Sequence, residues 1–294
     1  MIDESSRSTS NGASQLEEAI SAFQGEALAA LDEETVLRRA LNHHLLQTGS
    51  QTRSQLTLDA SRALGLSRNN QTYLAAAVEC LHNASLIQDD LQDHDARRRG
   101  QDSVWSKFGA NVAINLTDLL IATSFSLLAR VDIADCVPEL LTRMQRAVAL
   151  TLQGQSRDLD DEDITRGIKT SLAVAESKSG PFFALCLELP LIAARKLQSV
   201  ESAQQAGNLF GAGYQVLDDI QDAVQDKTIE NSANVVVVFN EILSEKDAYI
   251  EAQAVACHYL ERAQALAETL PNNCAALLVD HCISLVKKVK EPVK

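Results

Sequence analysis

The stretch Leu81-His82-Asn83-Ala84-Ser85-Leu86-Ile87-Gln88-Asp89-Asp90-Leu91-Gln92-Asp93 decides the reading of this chain. An apolar run at helical spacing ends in three carboxylates. Residues four apart share a helix face, so Asp89 lies over Asp93. A near-copy, Asp218-Asp219-Ile220-Gln221-Asp222, closes a second apolar run and sets Asp218 over Asp222. Like charges at that spacing cost a helix roughly a few tenths of a kcal/mol. Building the same liability twice implies that something positive binds at the clusters.

Composition sets the frame around them. The chain has 294 residues and is 46% hydrophobic, enough for a sizeable core. Aromatics are 4%, with 5 Pro and 12 Gly, too few for many strands and tight turns, so the balance predicts an all-α protein. A net charge of −14 argues against a nucleic-acid partner, which needs a basic surface. The 6 cysteines show no C-x-x-C pairing and sit mostly in apolar stretches, which fits a reducing cytosol better than zinc or disulfides. No basic region followed by an apolar core opens the sequence, so no signal peptide is expected. The longest apolar run, Leu119 to Leu128, is interrupted by Thr123, Ser124 and Ser126, so no integral membrane segment is expected either.

Residues 1–14 are polar and read as a disordered tail. From there the 3.6-residue period is nearly continuous, and 15–294 reads as one helical domain. Helices are predicted near 15–31, 33–47, 52–65, 70–93, 109–131, 136–158, 165–178, 181–197, 199–224, 241–269 and 273–289. Breaks are expected at Gly49, Gly100, Pro181 and Pro271-Asn272-Asn273. The β-like run Val235-Val236-Val237-Val238-Phe239 has no partner strand and reads as a buried helix start. The basic end from Lys287 to Lys294 reads as frayed.

Three carboxylates on one turn are hard oxygen donors. Mg²⁺ suits them when it is shared with substrate phosphates, because it keeps waters and takes one or two carboxylates per ion. Two such clusters can hold two or three Mg²⁺ ions around one diphosphate and neutralise a departing pyrophosphate. Arg97-Arg98-Arg99-Gly100 follows the first cluster within ten residues. In so acidic a chain it reads as a diphosphate clamp, since arginine grips phosphate oxygens bidentately.

From Glu79 to Asp90, and on through Arg98-Arg99-Gly100, the chain resembles the trans-isoprenyl diphosphate (polyprenyl) synthases, of the geranylgeranyl diphosphate synthase type. Gly154-Gln155-x-x-Asp158, Lys178-Ser179-Gly180 and Tyr214-Gln215 resemble further motifs of that family, in the family's order. The resemblance implies an isoprenoid-synthase helical bundle around a deep apolar cavity, usually a homodimer. It also implies condensation of an allylic diphosphate with isopentenyl diphosphate. Position by position, Asp89, Asp93 and Asp218 match metal ligands, and Asp90, Asp219 and Asp222 complete the clusters. Arg98 and Lys178 match contacts to the allylic diphosphate. Arg53, His82 and Arg99, with Gly49 and Gln155, match substrate-binding positions, and Gln215 matches a polar group near the reacting carbons.

The departures lie at the isopentenyl end. The family's Gly-Gly-Lys-Arg-x-Arg-Pro stands here as Thr48-Gly49-Ser50-Gln51-Thr52-Arg53-Ser54, so one Lys and one Arg are neutral. Each lost charge-assisted bond is worth roughly 1.5 to 3 kcal/mol, which depletes that pocket. Downstream of the second cluster the family's Gly-Lys is Asn231-Ser232, and its next Asp and Lys fall in the valine run. Product length has its own handle. Leu81, Ala84 and Ser85 precede the first cluster along its helix, and the small Ala84 and Ser85 leave room for a C20 tail. The reading is a cytoplasmic Mg²⁺-dependent prenyltransferase. A terpene-synthase-like lyase and a non-catalytic partner subunit are the alternatives.

Overall fold

The structure, a computed structural model, describes residues 4–46, 49–158, 168–226 and 234–290. It is helical as expected. Among the described residues the strands are β1 (Arg97–Arg98) and β2 (Gln101–Asp102), a single short pair. The chain forms two compact units, Met1–Leu141 and Thr142–Lys294.

The first unit holds α1 (Glu4–Ala29), α2 (Val36–Leu45), α3 (Thr52–Ala63), α4 (Arg68–Gln92), the β1–β2 hairpin, α5 (Val104–Phe108) and α6 (Ala110–Leu128). Helix α4 is its axis and packs against α1, α3 and α6. Ser67 starts it as an N-cap, accepting from Asn70 N at 3.3 Å. Leu74 through Val78, with Cys80 and Leu81, are buried on every side, the mark of a central helix. Fully burying Leu74 alone stabilises the fold by about 1.5 to 3 kcal/mol.

Helix α1 begins at Glu4, inside the 1–14 stretch read as a tail. Its packed face is Ala19, Phe23 and Ala27, spaced four apart. Gln15 adds a buried clasp, donating to Gln71 Oε1 at 2.7 Å. Helix α6 runs unbroken through Thr123, Ser124 and Ser126. The hydroxyls of Thr123 and Ser124 donate back to the carbonyls of Leu119 and Ile121 and so remain satisfied. At 19 residues and mean hydropathy 1.4 it is long and apolar enough to cross a membrane by those two criteria. It is also packed: Ala113, Leu116, Leu120 and Leu127 are fully buried, and Leu120 O accepts from Cys80 Sγ of α4.

The unit boundary falls inside α7 (Val137–Asp158). The second unit continues with α8 (Ile168–Ala193), α9 (Val200–Asp226), α10 (Val235–Asn240), α11 (Glu245–Ala267) and α12 (Ala276–Lys290). Helix α9 packs on α8 and α11, and α12 on α11. Pro181 does not break the chain as expected, because α8 runs straight through Pro181 and Pro190. Packing overrides the lost backbone bonds there. Residues Phe182 to Leu187 are buried, and Gly211 of α9 comes so close that a Cβ on it would stand 2.6 Å from Gly180 Cα. The valine run is a short buried helix, α10, as its sequence suggested. Lys287 to Lys290 are helical rather than frayed, because α12 continues to Lys290, whose Nζ pairs with Glu261 at 2.9 Å.

Candidate active site

In the first unit, the last turn of α4 carries the first acidic cluster. The Asp93 N–H closes the helix onto Asp89 O at 2.8 Å. Asp89 is half-buried, Asp93 is exposed and Asp90 is 2% exposed. Asp90 is turned away from its neighbours: Oδ1 accepts from Arg98 Nη2 at 2.6 Å and from Arg98 Nε at 2.7 Å. Burial pushes the Asp90 carboxyl above its ordinary pKa, and the guanidinium works against that push. Arg98 is itself held above its ordinary value, since the hydrogen bond and charge of Asp90, with Asp89 and Asp95, outweigh its burial.

Sequence reading missed the hairpin that presents the arginines. Arg97 pairs with Asp102 and Arg98 with Gln101, leaving Arg99 and Gly100 at the tip with φ of 50° and 83°. Two successive positive φ values define the tight turn that follows the twist of paired strands. Glycine in the second position is what the Arg-Arg-Gly order supplies. The hairpin is tied down on both sides. Trp105 Nε1 donates to Asp95 O at 2.9 Å, and His43 Nε2 meets Asp102 O at 2.8 Å.

Behind the tip, the residues expected at the isopentenyl end come together. A Cβ on Gly49 would stand 2.6 Å from Arg99 Nη2, so the glycine leaves room for that guanidinium. Arg53 Nη1 donates to His82 Nε2 at 3.2 Å. Arginine has only donors, so His82 Nε2 is the bare nitrogen and the proton sits on Nδ1. Burial and the charges of Arg53, Arg99 and Arg98 hold His82 well below its ordinary pKa, as neutral imidazole. His82 Nδ1 is buried without a hydrogen-bond partner among the described residues. Ser50 is exposed and accepts from Thr52 Oγ1 at 3.0 Å. Gln51 has φ 51° at the N-cap of α3.

A second layer, also unforeseen, backs this group. His44 is 3% exposed and its Nε2 meets Asn83 Oδ1 at 2.9 Å. Asn83 Nδ2 donates to Glu79 O at 2.8 Å, and Ser54 Oγ donates to the buried Glu79 carboxylate. Burial and the Arg98 and Arg99 charges lower the His44 pKa to about 4, against the support of Asn83. The available signal was positional. His44 and Asn83 are polar residues inside apolar helical runs, and such residues need partners. Of the residues on α4 expected to set product length, Leu81 and Ala84 are buried and Ser85 is half-buried, with its Oγ donating to His82 O at 2.8 Å.

In the second unit, α9 carries the second cluster. Asp218 is half-buried and Asp222 exposed, the same pattern as Asp89 and Asp93. The middle residue is again committed elsewhere. Asp219 Oδ2 accepts from Val235 N at 3.0 Å and Oδ1 from Gln215 Nε2 at 3.3 Å. Gln215 Oε1 accepts in turn from Ser179 Oγ at 2.9 Å, so this residue bridges α8 and α9. Lys178, beside Ser179, is half-buried. Gly154 of α7 abuts Ser177 of α8, where a Cβ would stand 2.6 Å from Ser177 Oγ. Next to it, Gln155 is 4% exposed with both amide atoms unpartnered among the described residues. Tyr214 packs its ring against Phe183 and Phe210 at 5.8 and 6.2 Å. Thr48, Asn231 and Ser232, and the side chain of Asp158, lie outside the described residues.

Among the described residues, no three His, Cys, Asp or Glu side chains gather as a preformed cation cage. In each cluster the middle aspartate also serves the fold: Asp90 pairs with Arg98, and Asp219 accepts from Val235 N at the start of α10. A pair of carboxylates, one half-buried and one exposed, still suits Mg²⁺, which takes one or two carboxylates and completes its shell with water and phosphate oxygens.

A helical chain with this pair of acidic helix ends has the isoprenoid-synthase fold. The solved geranylgeranyl pyrophosphate synthetase of the archaeon Geoglobus acetivorans superposes with a TM-score of 0.82 at 25% identity, over 95% of this chain and 99% of that one. A decaprenyl diphosphate synthase from Rhodobacter capsulatus shares the fold at TM-score 0.80 and 20% identity, over 96% of this chain and 99% of that one. The Polyprenyl synthetase family matches residues 34–265, and the chain belongs to it. It is 31% identical over 203 residues to the geranylgeranyl pyrophosphate synthase of G. acetivorans, covering 67% of this chain and 63% of that protein. It is 33% identical over 206 residues to the geranylgeranyl diphosphate synthase of Pseudescherichia vulneris, covering 66% of each. The matched stretch thus spans a little under two thirds of these relatives' length.

Proposed function

We propose that this protein is a Mg²⁺-dependent trans-prenyltransferase that condenses an allylic diphosphate with isopentenyl diphosphate, with a C20 product. One observation carries the reading. Two near-identical clusters, on α4 and α9, each set a first and a last aspartate four residues apart on one helix face, Asp89 with Asp93 and Asp218 with Asp222, a spacing suited to a metal-bound diphosphate. Two or three Mg²⁺ ions on these residues supply the positive charge that a departing pyrophosphate needs. Arg98, fixed by Asp90, and Lys178 bind the allylic diphosphate. Arg53, Arg99 and neutral His82 bind isopentenyl diphosphate beside Gly49, and the buried His82 Nδ1 and Gln155 Nε2 are donors without a partner among the described residues. The growing tail follows α4 past Ser85 toward Leu81, with Ala84 beside it.

The same reading treats 15–294 as one catalytic domain that works as a homodimer in the cytoplasm. On α6, Ile114 is 49% exposed, and Ile121 and Phe125 lie half-buried on the same helix face, an apolar stripe suited to a second copy. The 6 cysteines are buried and none forms a disulfide among the described residues, which suits a reducing compartment.

The test is incubation with Mg²⁺ and dimethylallyl, geranyl or farnesyl diphosphate, with and without isopentenyl diphosphate. Longer diphosphates that appear only with isopentenyl diphosphate support the proposal. Hydrocarbons or alcohols formed without it would replace the synthase by a lyase. No turnover of any allylic substrate would leave a partner subunit.

A further inference from the structure

The hairpin that presents Arg98 and Arg99 is fastened to the first unit from both of its strands. On the β1 side, Arg98 reaches back to Asp90 of α4. On the β2 side, Asp102 O meets Nε2 of His43, in the last turn of α2, at 2.8 Å. Between them, Ser103 N donates to Ala96 O at 3.0 Å and closes the base. The His43 ring is itself set by two residues of α5. Phe108 meets it edge-on with ring centroids 5.6 Å apart, and Lys107 Nζ stands 3.1 Å from Nδ1. An ammonium has only donors, so Nδ1 is the bare nitrogen and the His43 proton sits on Nε2, aimed at the Asp102 carbonyl. At the tip, Arg99 holds φ 50°, a left-handed conformation unfavourable for any residue with a Cβ. Such a turn persists where its surroundings fix it. Helix α2 also leads into Gly49, which leaves room for the Arg99 guanidinium.

We infer that His43 is a positioning residue for Arg99. By donating to Asp102 O it fastens β2 to α2, so that the guanidinium at the tip is held beside Gly49 for a diphosphate. The inference rests on the proposed role of Arg99 in binding isopentenyl diphosphate. A hairpin this short can hinge at its base. A tie from each strand to a different helix stops that motion and gives the tip one orientation. The two ties also divide the arginines. Asp90 sets Arg98 directly, whereas the place of Arg99 follows from where the turn stands. Loss of the His43 bond therefore disturbs the contact made by Arg99 and spares the one made by Arg98. Diphosphate binding is the step that feels a displaced guanidinium, because bidentate contacts are geometrically demanding.

Two variants separate positioning from packing. His43→Phe keeps a ring against Phe108 and removes both nitrogens. His43→Gln places an amide N–H where Nε2–H stood and restores a donor to Asp102 O. The full chain is assayed with Mg²⁺, farnesyl diphosphate and isopentenyl diphosphate, and Tm is measured alongside. His43→Phe is expected to raise KM for isopentenyl diphosphate about five- to tenfold, the worth of one hydrogen bond. Its KM for farnesyl diphosphate, its kcat and its Tm should stay close to the parent. His43→Gln should bring KM for isopentenyl diphosphate back to about the parent value. A parent-like KM for isopentenyl diphosphate in His43→Phe would overturn the inference. So would an equal rise in both KM values, a Gln variant no better than the Phe variant, or a loss of activity that only follows a lowered Tm. If the parent chain extends no allylic diphosphate, the proposed function fails first, and this inference falls with it. That outcome is distinct because it appears before any substitution is made.

Discussion

The two acidic clusters share a sequence pattern and differ in how their middle residue is held. At the end of α4, Asp90 is buried and locked by a guanidinium, with Arg98 reaching back from the hairpin at 2.6 Å. In α9, Asp219 is held by a backbone N–H, a side-chain amide and the capping residue of α10. Both solutions remove the second of three adjacent charges. The first does so with a cation on the β1–β2 hairpin, and the second with bonds that include a backbone N–H and a side-chain amide. A short motif can therefore specify a division of labour among its residues while leaving the wiring to the segment that follows it.

Arg98→Ala should produce the largest effect and an asymmetric one. It strands a buried carboxylate, which costs about 3 to 5 kcal/mol, whereas Asp219→Asn keeps an acceptor oxygen for Val235 N–H and should cost about 1 kcal/mol. Urea unfolding of the two variants measures the difference. Adding Asp90→Asn to Arg98→Ala should recover much of the loss, and equal destabilisation by Arg98→Ala and Asp219→Asn would erase the distinction between the clusters.

Chemistry should be symmetric where stability is not. Asp89→Asn and Asp218→Asn should each lower kcat by about 10²- to 10³-fold, because each removes charge compensation from the same departing diphosphate. A large loss in one and none in the other, in steady-state assays, would show that the clusters do not serve one reaction.

A third difference is acid sensitivity. The first unit buries His44, whose pKa burial lowers to about 4. Its unfolded value is near 6.5, so between those values the unfolded chain binds more protons and stability falls as pH drops. The loss is fully absent above about 6.5 and amounts to about 3 kcal/mol by pH 4. Thermal melts from pH 7 to 4.5 should show this slope, and His44→Gln should make it shallower while buried His82 keeps part of it. The smallest effect is expected at the neutral edge of the arginine group. Ser50→Lys should lower KM for isopentenyl diphosphate about tenfold by adding one charge-assisted contact, with kcat little changed. No change in KM would place Ser50 outside that pocket.

Much of this was legible before any coordinates. The helical period located most helices because their burial is one-sided and repeating, and the charge pattern located both clusters because three carboxylates on one turn are costly without a ligand. Three features left no such trace. Two-residue strands have no periodicity, so the Arg98-Arg99-Gly100 hairpin was read as a charge run. Pro181 signalled a break, but the buried stretch after it and the close Gly180–Gly211 approach outweigh the lost hydrogen bond. Within each cluster, the choice of Asp90 and Asp219 as the tied residues depends on Arg98 and Val235, which lie eight and sixteen residues downstream. Asn234 did carry a signal, an Asn just before an apolar run. It marks an N-cap, while its second bond, to Asp219 O, is visible only in three dimensions.

The most direct test of the central claim is incorporation of labelled isopentenyl diphosphate into farnesyl diphosphate by the parent chain with Mg²⁺, with products separated by length. The account predicts a C20 diphosphate that forms only when both substrates and the metal are present, and that disappears equally in Asp89→Asn and Asp218→Asn. Consumption of farnesyl diphosphate without incorporation of the label, or incorporation that survives loss of either aspartate, would contradict it.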